Sequence, residues 1–196
     1  MTIRRRTLLS AALCAGTALL ISAGVRPAAA VPAGNPRRIA VVYVSRTGNT
    51  RSVAQAVHAF TGADLFAVEP VEPYPDSYRP ATEVVKDEIE RNYKRPIKPI
   101  SIDLSQYDVV LLGTPTWWHR PAQLLKTWLE TADLTGKTVA TFQTHGGGGV
   151  MEVRSEFESI LDQKKVGKLG THFLSFGGVR AEDRSVRLWL GENGLV

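Results

Sequence analysis

Beyond residue 36 the chain alternates between two hydrophobic rhythms, and this alternation restricts the possible folds more than any other feature. Short runs rich in β-branched and aromatic residues fall at Ile39–Val44, Leu65–Val68, Val109–Gly113, Thr138–Gln143 and Lys168–Phe176. Some are apolar at nearly every position, which a strand covered on one face only does not need. Between them lie stretches with helical spacing. Val53, Ala54, Val57 and Phe60 share one face, as do Val84, Val85, Ile89 and Tyr93. Leu124, Leu125, Trp128, Leu129 and Ala132 form the clearest stripe, and Val153, Phe157, Ile160 and Leu161 form another. A weaker stripe around Val186 and Trp189 ends the chain, and Trp128 and Trp189 read as core residues. Buried strands alternating with amphipathic helices imply a parallel sheet with helices on both faces, a small three-layer α/β sandwich of five β/α units.

The first 30 residues have a different logic. Arg4, Arg5 and Arg6 are followed by an apolar, small-residue stretch from Leu8 to Val25 and then by Arg26-Pro27-Ala28-Ala29-Ala30. Basic, apolar, then a small-residue cleavage site is the layout of an export signal. Cleavage is expected after Ala30, so residues 1–30 are the signal and 31–37 a Pro/Gly linker to a domain over 38–196. The alternative is an uncleaved anchor, because a stretch of 18 residues just spans a bilayer. Ser10, Gly16, Thr17, Ser22 and Gly24 dilute its hydrophobicity and favour cleavage. Arg5-Arg6-Thr7-Leu8-Leu9 resembles a twin-arginine signal, with Arg4 in place of the usual hydroxyl residue and Ser10 in place of the usual lysine. That resemblance implies export in a folded state with a cofactor already loaded, to the periplasm or another extracytoplasmic space, and a mature form with no membrane contact.

The signal also carries the chain's apparent basicity. The whole chain has 24 Lys+Arg against 19 Asp+Glu, and four of those arginines lie within residues 1–30, so the remainder has 20 basic and 19 acidic residues, a net charge of +1. A near-neutral surface gives no reason to expect a nucleic-acid partner. The one cysteine, Cys14, is in the signal. The mature part therefore has no thiol for a disulfide, a nucleophile or an iron–sulfur cluster. His58, His119, His145 and His172 show no metal-ligand spacing.

In open α/β sheets, ligands bind beyond the carboxyl ends of the strands, and the loops after the first, third and fourth predicted strands are the unusual ones here. The first is Ser45-Arg46-Thr47-Gly48-Asn49-Thr50. It offers three hydroxyls, a carboxamide and a run of backbone N–H groups ending at a helix N-terminus, where a phosphate is stabilised by converging donors and partial positive charge. Gly48 allows the tight turn that wrapping an anion requires. The second runs from Gly113 to Pro121 through Thr114, Pro115, Thr116, Trp117, Trp118, His119 and Arg120. Two adjacent tryptophans between prolines are expected to supply a flat apolar wall, held stiff by the prolines, for a planar ring. Neighbouring side chains in extended backbone point opposite ways, so one indole is expected in the core and at least one on the ligand. The third is Thr144-His145-Gly146-Gly147-Gly148-Gly149, where glycines permit close backbone approach and offer N–H groups to a ligand.

Val41 to Thr50, followed by Ala54 and Val57, resembles the flavodoxin phosphate-loop signature, and neither G-x-x-x-x-G-K-[ST] nor G-x-G-x-x-G occurs in the chain. Pro115-Thr116-Trp117-Trp118 resembles the ring-binding loop of a bacterial flavodoxin-like subfamily. The third loop matches by position, and Val71-Glu72-Pro73-Tyr74-Pro75-Asp76-Ser77-Tyr78 is similar to the same subfamily, with Tyr74 or Tyr78 at the cleft edge. The resemblance implies a flavodoxin-like three-layer sandwich with a five-stranded parallel sheet of order 2-1-3-4-5. It implies FMN as cofactor, held by Ser45, Arg46, Thr47, Gly48, Asn49, Thr50, Pro115, Thr116, Trp117, Trp118, His119, Thr144, His145, Gly146, Gly147 and Gly148. No side chain is assigned as a catalytic acid or base, because the flavin carries the redox chemistry.

Two departures bear on the partner. Electron-carrier flavodoxins place a glycine beside the reactive flavin nitrogen, whereas Thr116-Trp117-Trp118-His119 contains none. Such carriers are also strongly acidic, and a near-neutral chain is weakly steered toward a basic redox partner. Both favour an FMN-dependent oxidoreductase that uses a nicotinamide or reduces a small acceptor such as a quinone. The alternatives are a one-electron carrier between redox proteins and a flavin-free binding module. The oligomeric state stays open, a homodimer included.

Overall fold

Five consecutive buried residues, Ile39–Tyr43, form the first strand, β1. In the computed structural model, which describes residues 37–196, β1 is followed by α1 (Asn49–Thr61), β2 (Asp64–Ala67), α2 (Tyr78–Glu90), a 3-10 turn (Leu104–Gln106), β3 (Val109–Trp117), β4 (Arg120–Pro121), α3 (Gln123–Thr131), β5 (Thr138–His145), α4 (Val153–Gln163), β6 (Lys168–Phe176) and α5 (Arg184–Glu192). The expected signal and all but the last residue of the expected linker lie outside the described residues.

The sheet order is β2-β1-β3-β5-β6, and every pair along that path is parallel. With the two-residue β4 set aside, this is the expected 2-1-3-4-5 order. The period of two explains why both faces are covered. On β1 and β3, Val41, Tyr43, Val109 and Leu111 pack into one core, and Val42, Val110 and Leu112, with Val44 just past β1, pack into the other. The first core is closed by Val53, Ala54 and Val57 of α1 and by Val186, Trp189 and Leu190 of α5. The second is closed by Leu124, Leu125, Trp128 and Leu129 of α3 and by Val153, Phe157 and Leu161 of α4. Trp128 and Trp189 are buried, as their helical spacing predicts.

Three local expectations change. The third strand does not stop at Gly113 but runs on to Trp117, where β4 folds back on it in antiparallel register, Thr116 opposite Pro121 and Trp117 opposite Arg120. The second loop is thus a β-hairpin, and its stiffness comes from ladder pairing as well as from its prolines. On α2 the buried positions are Ala81, Val85 and Glu88, not the full stripe of Val84, Val85, Ile89 and Tyr93. A carboxylate takes an inward position there because it is paired, which hydrophobic patterning does not register. Tyr93 lies beyond the helix end and is exposed.

Candidate functional site

The loops after β1, β3 and β5 meet at the carboxyl end of the sheet around one cavity of about 530 Å³, within the range of small-molecule sites. Ser45, Arg46, Thr47, Asn49 and Thr50 line it from the first loop, Pro115 to His119 from the hairpin, and Thr144 to Gly146 from the third loop. The three segments are thus brought together. Gly48, Gly147 and Gly148 are not among the lining residues.

The first loop owes its shape to Gly48, which takes φ 94° as the residue before α1. A side chain there would meet nothing within 4 Å, so backbone conformation and not space requires glycine. Arg51 N–H donates to Ser45 Oγ at 3.1 Å, which folds the loop onto the first turn of the helix. The N–H groups of Thr47, Gly48, Asn49 and Thr50 donate to no protein acceptor among the described residues. Four consecutive free donors at a helix N-terminus form a receptor for an oxyanion. Arg46 lines the cavity with its guanidinium already engaged: it donates to the carbonyls of Pro75 at 2.9 Å and Asp76 at 2.5 Å, so it ties the loop to the segment before α2.

The hairpin tip is under backbone strain. Trp118 and His119 are the two central residues of the turn, with φ 48° and 71°, a conformation that glycine and asparagine favour. Each costs on the order of 1 kcal/mol or more in a residue with a Cβ. Contacts on both sides hold the tip in place. Trp118 Nε1–H donates to the Thr82 carbonyl on α2 at 2.8 Å. On the other side the His119 carbonyl accepts from Glu152 N–H at 3.0 Å. Arg120 pairs with Glu152 at 3.0 Å and with Glu156 at 3.4 Å, and Glu156 also holds Lys126 at 2.5 Å. Neither indole is fully in the core: Trp117 is half-buried, Trp118 is 46% exposed, and both line the cavity.

Trp117 is braced from behind. Its ring centroid lies 5.2 Å from that of Tyr74 at an interplanar angle of 78°, an edge-to-face pair. Tyr74 Oη donates to Glu88 Oε2 at 2.7 Å, and the Arg95 guanidinium lies 4.3 Å from the Tyr74 ring centroid. Arg95 Nε reaches Glu88 Oε1 at 2.5 Å. Burial, and then the neighbouring Glu88 carboxylate, hold the Tyr74 hydroxyl above the usual tyrosine range, with Arg95 opposing. Tyr74 is therefore a neutral donor at any ordinary pH.

The third loop uses its own amides. His145 Nδ1 accepts from the N–H groups of Gly147 and Gly149, each at 3.1 Å. Two of the glycine donors expected to face a ligand are therefore occupied by the loop's own histidine, and the ring proton of His145 sits on Nε2. Below it, Thr144 Oγ1 lies 2.8 Å from Thr50 Oγ1, a buried bond that joins the first and third loops.

Sequence reasoning missed one wall. Ala81, Thr82 and Val85 of α2 line the cavity beside Tyr74 and Tyr78. The tyrosines were legible in the Pro-Tyr-Pro turn, but α2 shows only an ordinary amphipathic stripe, and nothing local says that its inner face meets a ligand. A ligand with one phosphoryl group and a flat fused-ring system, as FMN has, fits on two counts: the cavity is lined both by the loop that carries the free donors and by indole and tyrosine rings.

Known proteins share this fold. The sequence profile of the flavodoxin family matches residues 38–175. Flavodoxin 1 of Escherichia coli strain K12 is 27% identical over 173 residues, covering 78% of this chain and 81% of its own. A candidate flavoprotein of Bacteroides eggerthii, solved as a crystal structure, superposes with a TM-score of 0.66 at 26% identity, over 79% of this chain and 96% of that one. A flavoprotein of Lactobacillus acidophilus crystallised in complex with FMN has the same fold, with a TM-score of 0.61 at 22% identity, over 78% of this chain and 98% of its own. Since the matched region runs from β1 to the outermost strand of the sheet and spans well over half of the chain, this chain belongs to the flavodoxin family.

Proposed function

We propose that this protein binds FMN and acts as an FMN-dependent oxidoreductase, passing electrons to a small acceptor such as a quinone. The observation that carries the reading is the run of free N–H groups from Thr47 to Thr50, set at a helix N-terminus on the rim of a cavity walled by Trp117, Trp118 and Tyr74. FMN supplies the redox chemistry. The chain's residues bind and orient it. The first loop would hold the phosphate, the hairpin indoles and Tyr74 would supply apolar surface for the ring system, and Thr116, Thr144 and His145 would supply polar groups in the same cavity. Flavodoxin 1 of Escherichia coli and the FMN complex from Lactobacillus acidophilus support the cofactor.

Two features favour an oxidoreductase over a one-electron carrier between proteins. The hairpin tip has tryptophan and histidine, not glycine, at its two left-handed positions, and both are tied down by neighbouring elements. The chain past residue 30 is also near neutral. The twin-arginine pattern at Arg5-Arg6 supports export with FMN already bound and cleavage near Ala30.

The test begins with the absorbance spectrum of the purified protein, which should be yellow with flavin bands. Trp117→Ala or Trp118→Ala is expected to weaken FMN binding by about tenfold, the order of one lost aromatic contact. Replacing both Thr47 and Thr50 by Val should leave nearly colourless protein. Full occupancy in that double variant refutes the phosphate loop. Accumulation of one-electron-reduced flavin during reductive titration refutes the oxidoreductase reading and favours the carrier.

A further inference from the structure

The polar groups at the base of the cavity are linked through one buried side chain that does not line it. Gln143, on β5, is fully buried and bonded at both ends of its carboxamide. Nε2 donates to Thr116 Oγ1 at 2.6 Å on the hairpin, to the carbonyl of Gly149 at 3.0 Å at the end of the third loop, and to that of Val150 at 3.3 Å just past it. Oε1 lies 2.9 Å from Nε2 of His172 on β6, and His172 Nδ1 lies 2.6 Å from Thr141 Oγ1. On the cavity side, Thr116 Oγ1 donates to the Thr144 carbonyl at 3.2 Å, and Thr144 Oγ1 meets Thr50 Oγ1. A chain of hydrogen bonds thus runs from the outermost strand to the hairpin and the third loop, and Thr144, held at its carbonyl by the hairpin, meets the first loop through its own hydroxyl.

Only one placement of the protons satisfies this chain. The end of Gln143 that faces two carbonyls must be the nitrogen, because a carbonyl oxygen there would face other acceptors. Its oxygen therefore faces His172, and His172 must donate from Nε2. A neutral imidazole has one ring proton, so Nδ1 accepts from the Thr141 hydroxyl. Burial pushes His172 down to about 4, with Arg154 acting in the same direction and Glu158 against it, which keeps the ring neutral. The opposite tautomer sets Nε2 against Gln143 Oε1, acceptor to acceptor. Turning the carboxamide over to relieve that clash sets its oxygen against Gly149 and Val150.

We propose that His172, which is outside the cavity, is a positioning residue for the ligand site. Held as its Nε2–H tautomer by Thr141, it fixes the orientation of Gln143, and Gln143 couples the hairpin to the third loop. The proposal rests on the FMN reading for the ligand that feels the effect, but the coupling itself does not depend on it.

The test uses the full chain with His172→Leu, His172→Gln, Gln143→Leu and the Leu/Leu double variant. Two quantities are read: FMN affinity by fluorescence quenching, and amide hydrogen exchange of residues 146–151 in flavin-free protein. His172→Leu removes both ring contacts. It is expected to weaken FMN binding roughly tenfold, the scale of one lost buried hydrogen bond, and to speed exchange in residues 146–151 selectively. A glutamine at 172 offers a donor to Gln143 and an acceptor to Thr141, so His172→Gln should restore both quantities toward wild type. The double variant should bind no more weakly than Gln143→Leu alone, because the two residues act in series. If His172→Leu fails to fold, Thr141→Val removes only the Nδ1 partner and carries the same expectation on a smaller scale.

Wild-type affinity and loop exchange in His172→Leu overturn the proposal. So does equal behaviour of the Leu and Gln variants, or full additivity with Gln143→Leu. A structural role alone lowers the melting temperature and leaves FMN affinity unchanged. If the wild type takes up no FMN, the cofactor reading fails, and loop exchange still decides the coupling: a selective rise in residues 146–151 supports it and wild-type exchange overturns it.

Discussion

Replacing Glu88 by Leu should destabilise the fold far more than replacing a charged surface residue would, because its burial and its partners set a large cost. Glu88 is 1% exposed on the inner face of α2. Its two carboxylate oxygens serve Arg95 Nε and Tyr74 Oη. Leucine nearly fills the same volume, so no large cavity opens and the cost is electrostatic. It leaves the Arg95 guanidinium, whose side chain is 12% exposed, without its counter-ion. Breaking a buried pair from one side costs about 3–5 kcal/mol, and Arg95 falls at the low end because it keeps the Glu72 carbonyl at 2.9 Å. The Tyr74 hydroxyl loses its acceptor at about 1 kcal/mol, a modest figure because it can turn toward the open cavity. The expected total is about 4 kcal/mol, a large share of the roughly 5–15 kcal/mol available to a domain. The assay is urea unfolding followed by tryptophan fluorescence, read as a shift in midpoint at unchanged slope. Two controls isolate the cause. Glu88→Leu combined with Arg95→Met removes both charges and should recover most of the loss. Asp87→Asn, which breaks the exposed pair with Arg91, should leave the midpoint where it was. If Glu88→Leu costs no more than about 1 kcal/mol, the pair is as solvated as a surface pair and the reasoning is refuted.

A methyl group on Gly113 would lie 2.2 to 2.8 Å from atoms of the buried Phe142 ring, its partner across the β3–β5 ladder. Gly113→Ala should therefore cost about 1–3 kcal/mol by overpacking, measured by thermal unfolding, with Phe142→Leu recovering part of it in the double variant. His172 makes stability depend on pH. In the unfolded chain the imidazole takes up a proton as pH falls through its ordinary 6.5, whereas the folded protein holds it neutral down to about 4. The unfolded state binds the extra proton across that window, so stability present above pH 6.5 is lost as pH falls toward 4. Melting curves between pH 7 and 4.5 should show this slope in wild type and a shallower one in His172→Gln. Equal slopes refute it.

The β/α order and the parallel sheet were legible because they rest on local periodicity. Val41 and Val42 each find a core on opposite faces of the same strand, and that uniform burial is written in the run of apolar residues itself. The cavity loops were legible for a related reason. Gly48 and the hydroxyls around it make poor sense as packing, and the structure puts them beside four amides that have no protein acceptor among the described residues.

The sequence alone thus determined which segments are strands, which are helices, and which three loops stand at the carboxyl end of the sheet. Tertiary structure decided what the polar side chains do there. Arg46 binds carbonyls 29 and 30 residues away, Thr50 meets Thr144 across 94 residues, and Gln143 joins Thr116 to His172. Glu88 reads as a solvated helix position until Arg95 and Tyr74 fold over it. Hydrophobic burial has a period that one stretch of chain reveals by itself. A hydrogen bond or ion pair needs a partner at about 3 Å, and only the closed fold brings that partner within reach.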